Sequence, residues 1–114
     1  MIKTVLYVPE ADNAGTLFAP RLWRSLERRV RQFGGYSVQG DLVGVWTADG
    51  RVYQDRNRVY TVVLSSIRQL PAWVATVEWV LATIRQEAVY VEINGAPEIV
   101  PRLPTSGASQ VGRR

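Results

Sequence analysis

The chain has no cysteine and no histidine in its 114 residues. Without thiols there is no disulfide, no thiolate nucleophile and no structural zinc of the cysteine type. Without imidazole, the side chain that most often ligates transition metals and moves protons near neutral pH is missing. Lysine is nearly absent, with Lys3 alone beside the arginines, and chemistry is left to carboxylates, arginines, tyrosines and hydroxyls. No metal site and no cofactor are expected. No apolar run approaches the roughly 18 residues that span a bilayer, and Met1 opens no basic and apolar leader pattern. The default expectation is a cytoplasmic protein without a membrane partner.

Apolar residues make up 46% of the chain and charged residues 21%, the proportions of a folded domain. Its length suits one two-layer core that buries about two-thirds of the unfolded surface. A single domain is expected over residues 1–104. Residues 105–114 (TSGASQVGRR), with one aliphatic residue and no periodicity, read as a disordered basic tail. The net charge of +4 is carried almost wholly by arginine, which permits binding of an acidic partner without requiring it.

The order of hydrophobic periods is the strongest signal. Thr4 to Val8 alternates as a strand and stops at Pro9. Arg21 to Phe33 is an amphipathic helix with Leu22, Trp23, Leu26, Val30 and Phe33 on one stripe, and Gly34-Gly35 supplies a left-handed stop. Leu42 to Thr47 and Val52 to Ser65 read as strands across an Asp49-Gly50 turn, with a bulge or bend at Asp55 to Arg58. Ala72 to Glu87 is a second helix with Trp73, Val77, Val80, Leu81 and Ile84 inward, and Ala88 to Asn94 is a last strand. Residues 95–104, with three prolines, suit an extended segment outside the sheet centre. The order βαββαβ predicts an α+β, ferredoxin-like sandwich: a four-stranded antiparallel sheet with two helices on one face.

Such a sandwich leaves one sheet face uncovered. The last strand puts Tyr90, Glu92 and Asn94 there. Tyr7, Trp46 and Tyr60 are candidates to join them in an aromatic, amphipathic ligand-binding face. Both parities of the first and third strands carry large apolar residues, so both faces are expected to be partly buried, and a sheet-to-sheet dimer is the economical arrangement. A second candidate surface is the back of the second helix, where Ala72, Ala75, Trp79 and Ala82 fall opposite the core stripe and would suit a subunit interface. The alternative is cover from Ile99 to Leu103 of the same chain. On the first helix, Arg21, Arg24, Arg28 and Arg31 lie within about 80° of one another at 3.6 residues per turn. They form either a solvated face or an anion-binding stripe.

Two catalytic or recognition patterns are incomplete. Leu6-Tyr7-Val8 is similar to the first-strand signature of the RNA-recognition motif, but Arg58 to Ser65 lacks the glycine-aromatic pattern whose rings stack on bases. Glu10 and Asp12 follow a strand end, as metal-binding acids do in some nucleases of this fold, but no second acidic cluster completes a two-metal site.

Several segments together resemble a group of small bacterial proteins, a domain of unknown function with a ferredoxin-like fold. They are Leu22-Trp23, Gly34-Gly35-Tyr36, Gly44-Val45-Trp46, Ala48 to Tyr53, Arg58-Val59-Tyr60 and Arg85 to Val89. The resemblance implies the fold and assigns no reaction. Gln86-Glu87 at the end of the second helix is read as structural, with Glu87 placed to pair with an arginine such as Arg58.

The leading expectation is a homo-oligomeric, non-enzymatic domain, a dimer, that binds a small ligand or a protein partner. Two alternatives accompany it: a cofactor-independent enzyme of the dimeric α+β barrel type, and nucleic-acid binding through the arginine-rich helix face.

Overall fold

A computed structural model describes residues 1–102, so the expected basic tail lies outside the described residues. Along the chain run β1 (Ile2–Pro9), α1 (Pro20–Val30), β2 (Gly35–Ala48), β3 (Arg51–Leu64), a short 3₁₀ turn (Ile67–Gln69), α2 (Leu70–Ile84), β4 (Ala88–Ile93) and β5 (Ala96–Pro101). The sheet is antiparallel with the order β2-β3-β1-β4-β5. This is the ferredoxin-like order with one strand added, so the sheet has five strands where four were predicted.

The added strand has a local cause. Asn94 and Gly95 both take positive φ, 50° and 83°, and close a two-residue hairpin in which Ile93 pairs with Ala96. β5 sits at the sheet edge, where Pro97 and Pro101 are tolerated because one side of the strand needs no donors. Asp49 and Gly50, at 51° and 72°, close the β2–β3 hairpin in the same way, as the sequence predicts.

One face of the sheet carries the core. Thr4, Leu6 and Val8 of β1, Tyr60, Val62 and Leu64 of β3, and Val89 and Val91 of β4 are buried there. The α1 residues Leu22, Trp23, Leu26 and Val30 and the α2 residues Trp73, Val77, Val80, Leu81 and Ile84 are buried against them. Thr4, in the middle of this layer, donates its hydroxyl to the Val62 carbonyl at 2.8 Å and so leaves no polar group unpaired.

The predicted left-handed stop after α1 is not used. The helix ends at Arg31 in right-handed geometry, and neither Gly34 nor Gly35 has positive φ. Gly34 is needed for room. Its N–H donates to the Val63 carbonyl at 2.8 Å, and a Cβ there would lie 2.8 Å from Ser65 Oγ and 3.0 Å from the Val63 carbonyl oxygen. A Cβ on Gly35 would meet nothing within 4 Å. Gly34→Ala is therefore expected to cost about 1–2 kcal/mol through overpacking. Gly35→Ala should be neutral or stabilise by up to about 1 kcal/mol through a less flexible unfolded chain. Urea unfolding of the two variants side by side checks the pair, and equal midpoints would contradict it.

The irregularity predicted within Asp55 to Arg58 falls on the partner strand. Gly35↔Val63 through Gln39↔Val59 keep one register, while Leu42↔Asn57 through Ala48↔Arg51 are offset by one residue. The two-residue turn fixes the outer register, and a bulge at Gly40-Asp41 absorbs the extra residue. Asp41 takes φ 61°, with its N–H held by Glu10 Oε2 at 2.9 Å and its carboxylate by Arg56 at 3.2 Å. β1 pairs with β3 only as far as Pro9↔Asn57, so the outer part of the β2–β3 hairpin extends past β1 as a two-stranded arm.

Candidate functional site

β-strand alternation places Tyr7, Asn57, Val59, Tyr90 and Glu92 on the face away from the helices. The bulge adds a member. Tyr36 and Val38 pair with Val62 and Tyr60 on the helix side, and unbroken alternation would have put Trp46 there too. The extra residue turns Leu42, Gly44 and Trp46 to the open face instead.

Three rings meet on that face. Tyr7 and Tyr90 are edge to face with centroids 4.9 Å apart, and Trp46 lies 5.4 Å from Tyr90 at 41°. Trp46 lies over Gly44, where a Cβ would stand 3.2 Å from the indole, so glycine permits this approach. The Tyr90 hydroxyl donates to Glu92 Oε2 at 2.9 Å. That bond, foremost, raises the Tyr90 pKa above its ordinary value.

A cavity of about 190 Å³ opens beside the rings, walled also by Pro9, Asp55, Asn57, Ala88 and Ile99. Asn57 is 3% exposed, and among the described residues its amide makes a single hydrogen bond, from Nδ2 to the Asp55 carbonyl at 3.5 Å. The cavity continues into a groove of about 1020 Å³ toward the loop after β1. That loop is folded by Asp12, whose Oδ1 accepts the N–H groups of Ala14 and Thr16, both at 2.9 Å. Glu10, Asp12, Asp55 and Glu87 line the groove together with Arg56.

Two residues expected on this face lie elsewhere. Tyr60 pairs with Leu6 in the helix-facing register and is fully buried. Its hydroxyl donates to Glu27 Oε2 at 2.9 Å, and burial, then this bond, push its pKa well above the tyrosine range. Asn94 belongs to the β4–β5 turn, where its Oδ1 accepts the Lys3 N–H at 3.1 Å. The arginine expected to meet Glu87 meets Glu27 instead. Arg58 stands 3.6 Å from Glu27 Oε2 and 4.4 Å over the Trp23 ring, with its Nε buried and without a hydrogen bond.

On α2, Ala75 and Ala82 are exposed, but Ala72 and Trp79 are packed against the core, Trp79 half-buried. Trp79 turns toward α1, where the Arg29 guanidinium lies 4.1 Å over its ring. The four residues therefore form no continuous outward patch, and cover by the chain after β4 is not the reason: Ile99 pairs with Tyr90 across the sheet. Arg21, Arg24, Arg28 and Arg31 lie along α1 and its C-terminal cap, on the side of the helix away from its buried stripe. Among the described residues, no group of three acidic, histidine or cysteine side chains could hold a metal ion. No helix there is long and apolar enough to cross a membrane.

Asp55, Asn57 and Ile99 were not singled out from the sequence as site residues. Asn57 carried a signal only as part of the polar stretch Asp55 to Arg58, which interrupts the apolar alternation of the strand.

No protein-family model and no curated protein matches the chain. Its fold is similar to that of a phage SAM lyase in the apo state, with a TM-score of 0.64, 17% identity and 88% of each chain covered. The same comparison with a phage SAM lyase in complex with S-methyl-5′-thioadenosine gives 0.61, 14% and 88% of each chain. The divalent cation tolerance protein from Thermus thermophilus gives 0.48 and 18%, over 96% of this chain and 88% of the other. At these identities the likeness to the phage SAM lyase is one of fold.

Proposed function

We propose that this chain is a small-molecule-binding domain whose site is the aromatic pocket on the open sheet face, and that it works as a cytoplasmic homodimer without catalysis. The observation that carries the reading is the pocket itself: a 190 Å³ recess with three clustered rings and a buried, under-bonded amide. Mostly apolar recesses with a few convergent polar groups are what ligand sites look like. Subunit association is supported by the projecting arm, where Val45 and Val52 are 62% and 71% exposed.

The test is a thermal-shift panel of small molecules, including S-methyl-5′-thioadenosine, on the wild type and on Trp46→Ala. A ligand at a hundred times its Kd should stabilise the wild type by about 2.7 kcal/mol and leave the variant's melting temperature unmoved. Equal shifts in both would place binding elsewhere and contradict the proposal. Light scattering checks the dimer, and a monomer mass would remove that part.

One contact favours the enzyme alternative: the phenol of Tyr90 held by Glu92 beside the pocket, a pair able to deliver a proton. Conversion of a bound panel compound by the wild type, and its loss in Tyr90→Phe, would select that alternative over simple binding.

A further inference from the structure

We propose that the pocket on the open sheet face takes a compact methylated ammonium group, an inference that rests on the small-molecule reading of that site. Tyr7, Trp46 and Tyr90 line the pocket as a cluster of touching rings, and an aromatic face carries the negative side of its ring quadrupole. A cation within about 6 Å of such faces is attracted, most strongly where water is excluded. A recess of 190 Å³ has the room of several waters. That admits a trimethylammonium head, and the adjoining groove has room for a substituent on it.

The charges point the same way. Asp55 stands on the pocket wall, and Glu10, Asp12 and Glu87 line the adjoining groove, so four of the chain's ten acidic residues gather at one end of a protein with a net charge of +4. The one arginine among them, Arg56, is engaged by Asp41. The arginines of α1 lie on the helix side of the sheet. An anionic ligand would meet these carboxylates at close range, and a neutral one would gain nothing from them. The buried Asn57 amide, with its single long hydrogen bond, has acceptor capacity left for the positive edge of the guest. A methylated cation also fits better than a primary ammonium. It is weakly hydrated and needs no ring of close hydrogen-bond acceptors, which the aromatic walls do not supply.

The experiment titrates the ¹⁵N-labelled full chain with choline and, separately, with its neutral isostere 3,3-dimethylbutan-1-ol. Sodium chloride at matched concentration controls for ionic strength. The readout is the indole N–H of Trp46, assigned by its disappearance in Trp46→Phe. Choline should shift this signal saturably, the isostere should bind at least tenfold more weakly, and Asp55→Asn should weaken choline several-fold without changing the melting temperature. Isostere binding as tight as choline's would overturn the charge preference while leaving the pocket an occupied site. The same holds if choline leaves Trp46 unmoved while a compound of the thermal-shift panel moves it. An Asp55→Asn variant with unchanged choline affinity would also overturn the proposal.

Discussion

Trp73→Ala is expected to destabilise the domain by about 3–5 kcal/mol, whereas Trp79→Ala, six residues along the same helix, should cost about 1–2 kcal/mol. Trp73 is 2% exposed and belongs to the core between α2 and the sheet, so its removal leaves a cavity that neighbouring Val77 and Leu81 fill only in part. Trp79 is half-buried at the edge of that core and carries the Arg29 guanidinium over its ring, an interaction of about 0.5–1 kcal/mol where water has access. In a domain of this size the larger loss lowers the melting temperature by roughly 15 °C or more. Calorimetry of the two variants checks the contrast. Equal losses would mean that Trp79 is as well packed as Trp73.

The second large effect concerns Glu27. Its carboxylate accepts the hydroxyl of the fully buried Tyr60 and faces Arg58, tying α1 to β3. Glu27→Ala leaves a buried hydroxyl without a partner, at about 1–3 kcal/mol. It also removes the counter-charge of an arginine that is one-third exposed and therefore partly hydrated, with side-chain exposure of 31%. A combined loss of about 2–3 kcal/mol is expected. Tyr60→Phe, which removes the hydroxyl together with its need for a partner, should cost about 1 kcal/mol.

The same contact has a pH signature. The folded-state pKa of Tyr60 is raised by burial and by Glu27, so the neutral phenol is the form the fold favours. Its stabilisation is complete below the unfolded tyrosine value near 10 and is lost as pH rises above that, since only the unfolded chain then releases the proton. The slope contributed is about 1.4 kcal/mol per pH unit. Urea unfolding between about pH 9 and 11, the window around the unfolded tyrosine value, should show a shallower alkaline decline in Tyr60→Phe than in the wild type. Parallel curves would contradict the buried, neutral phenol.

Much of this fold is legible in the sequence because both helices and β4 keep clean periods, whereas β2 begins at Gly35, ahead of the expected Leu42, its alternation broken by the bulge. Leu22, Trp23, Leu26 and Val30 repeat at helical spacing and are buried together, and Val89 and Val91 alternate with Tyr90 as strand geometry requires. The fifth strand is missed because Asn94 reads equally well as the end of an alternation or as half of a turn. Only the neighbouring Gly95, with its positive φ, makes the hairpin the better reading. The open face is only half legible. Tyr7 and Tyr60 sit on adjacent strands with apolar residues at both parities, and the pairing of Tyr60 with Leu6, which sends it to the core, depends on a register between distant segments. Trp46 reaches the open face through a one-residue bulge that adjusts the outer hairpin to its tight turn, a constraint that no local pattern at Trp46 records.

Whether the open sheet face is the ligand site is decided by where shifts fall when the assigned ¹⁵N spectrum of the wild type is screened against a broad set of small molecules. Shifts should cluster at Tyr7, Trp46, Asn57 and Tyr90, around the pocket to which all five strands contribute. Shifts gathered instead at Leu22, Trp79 and Thr83, which line the 260 Å³ recess between the helices, would contradict it.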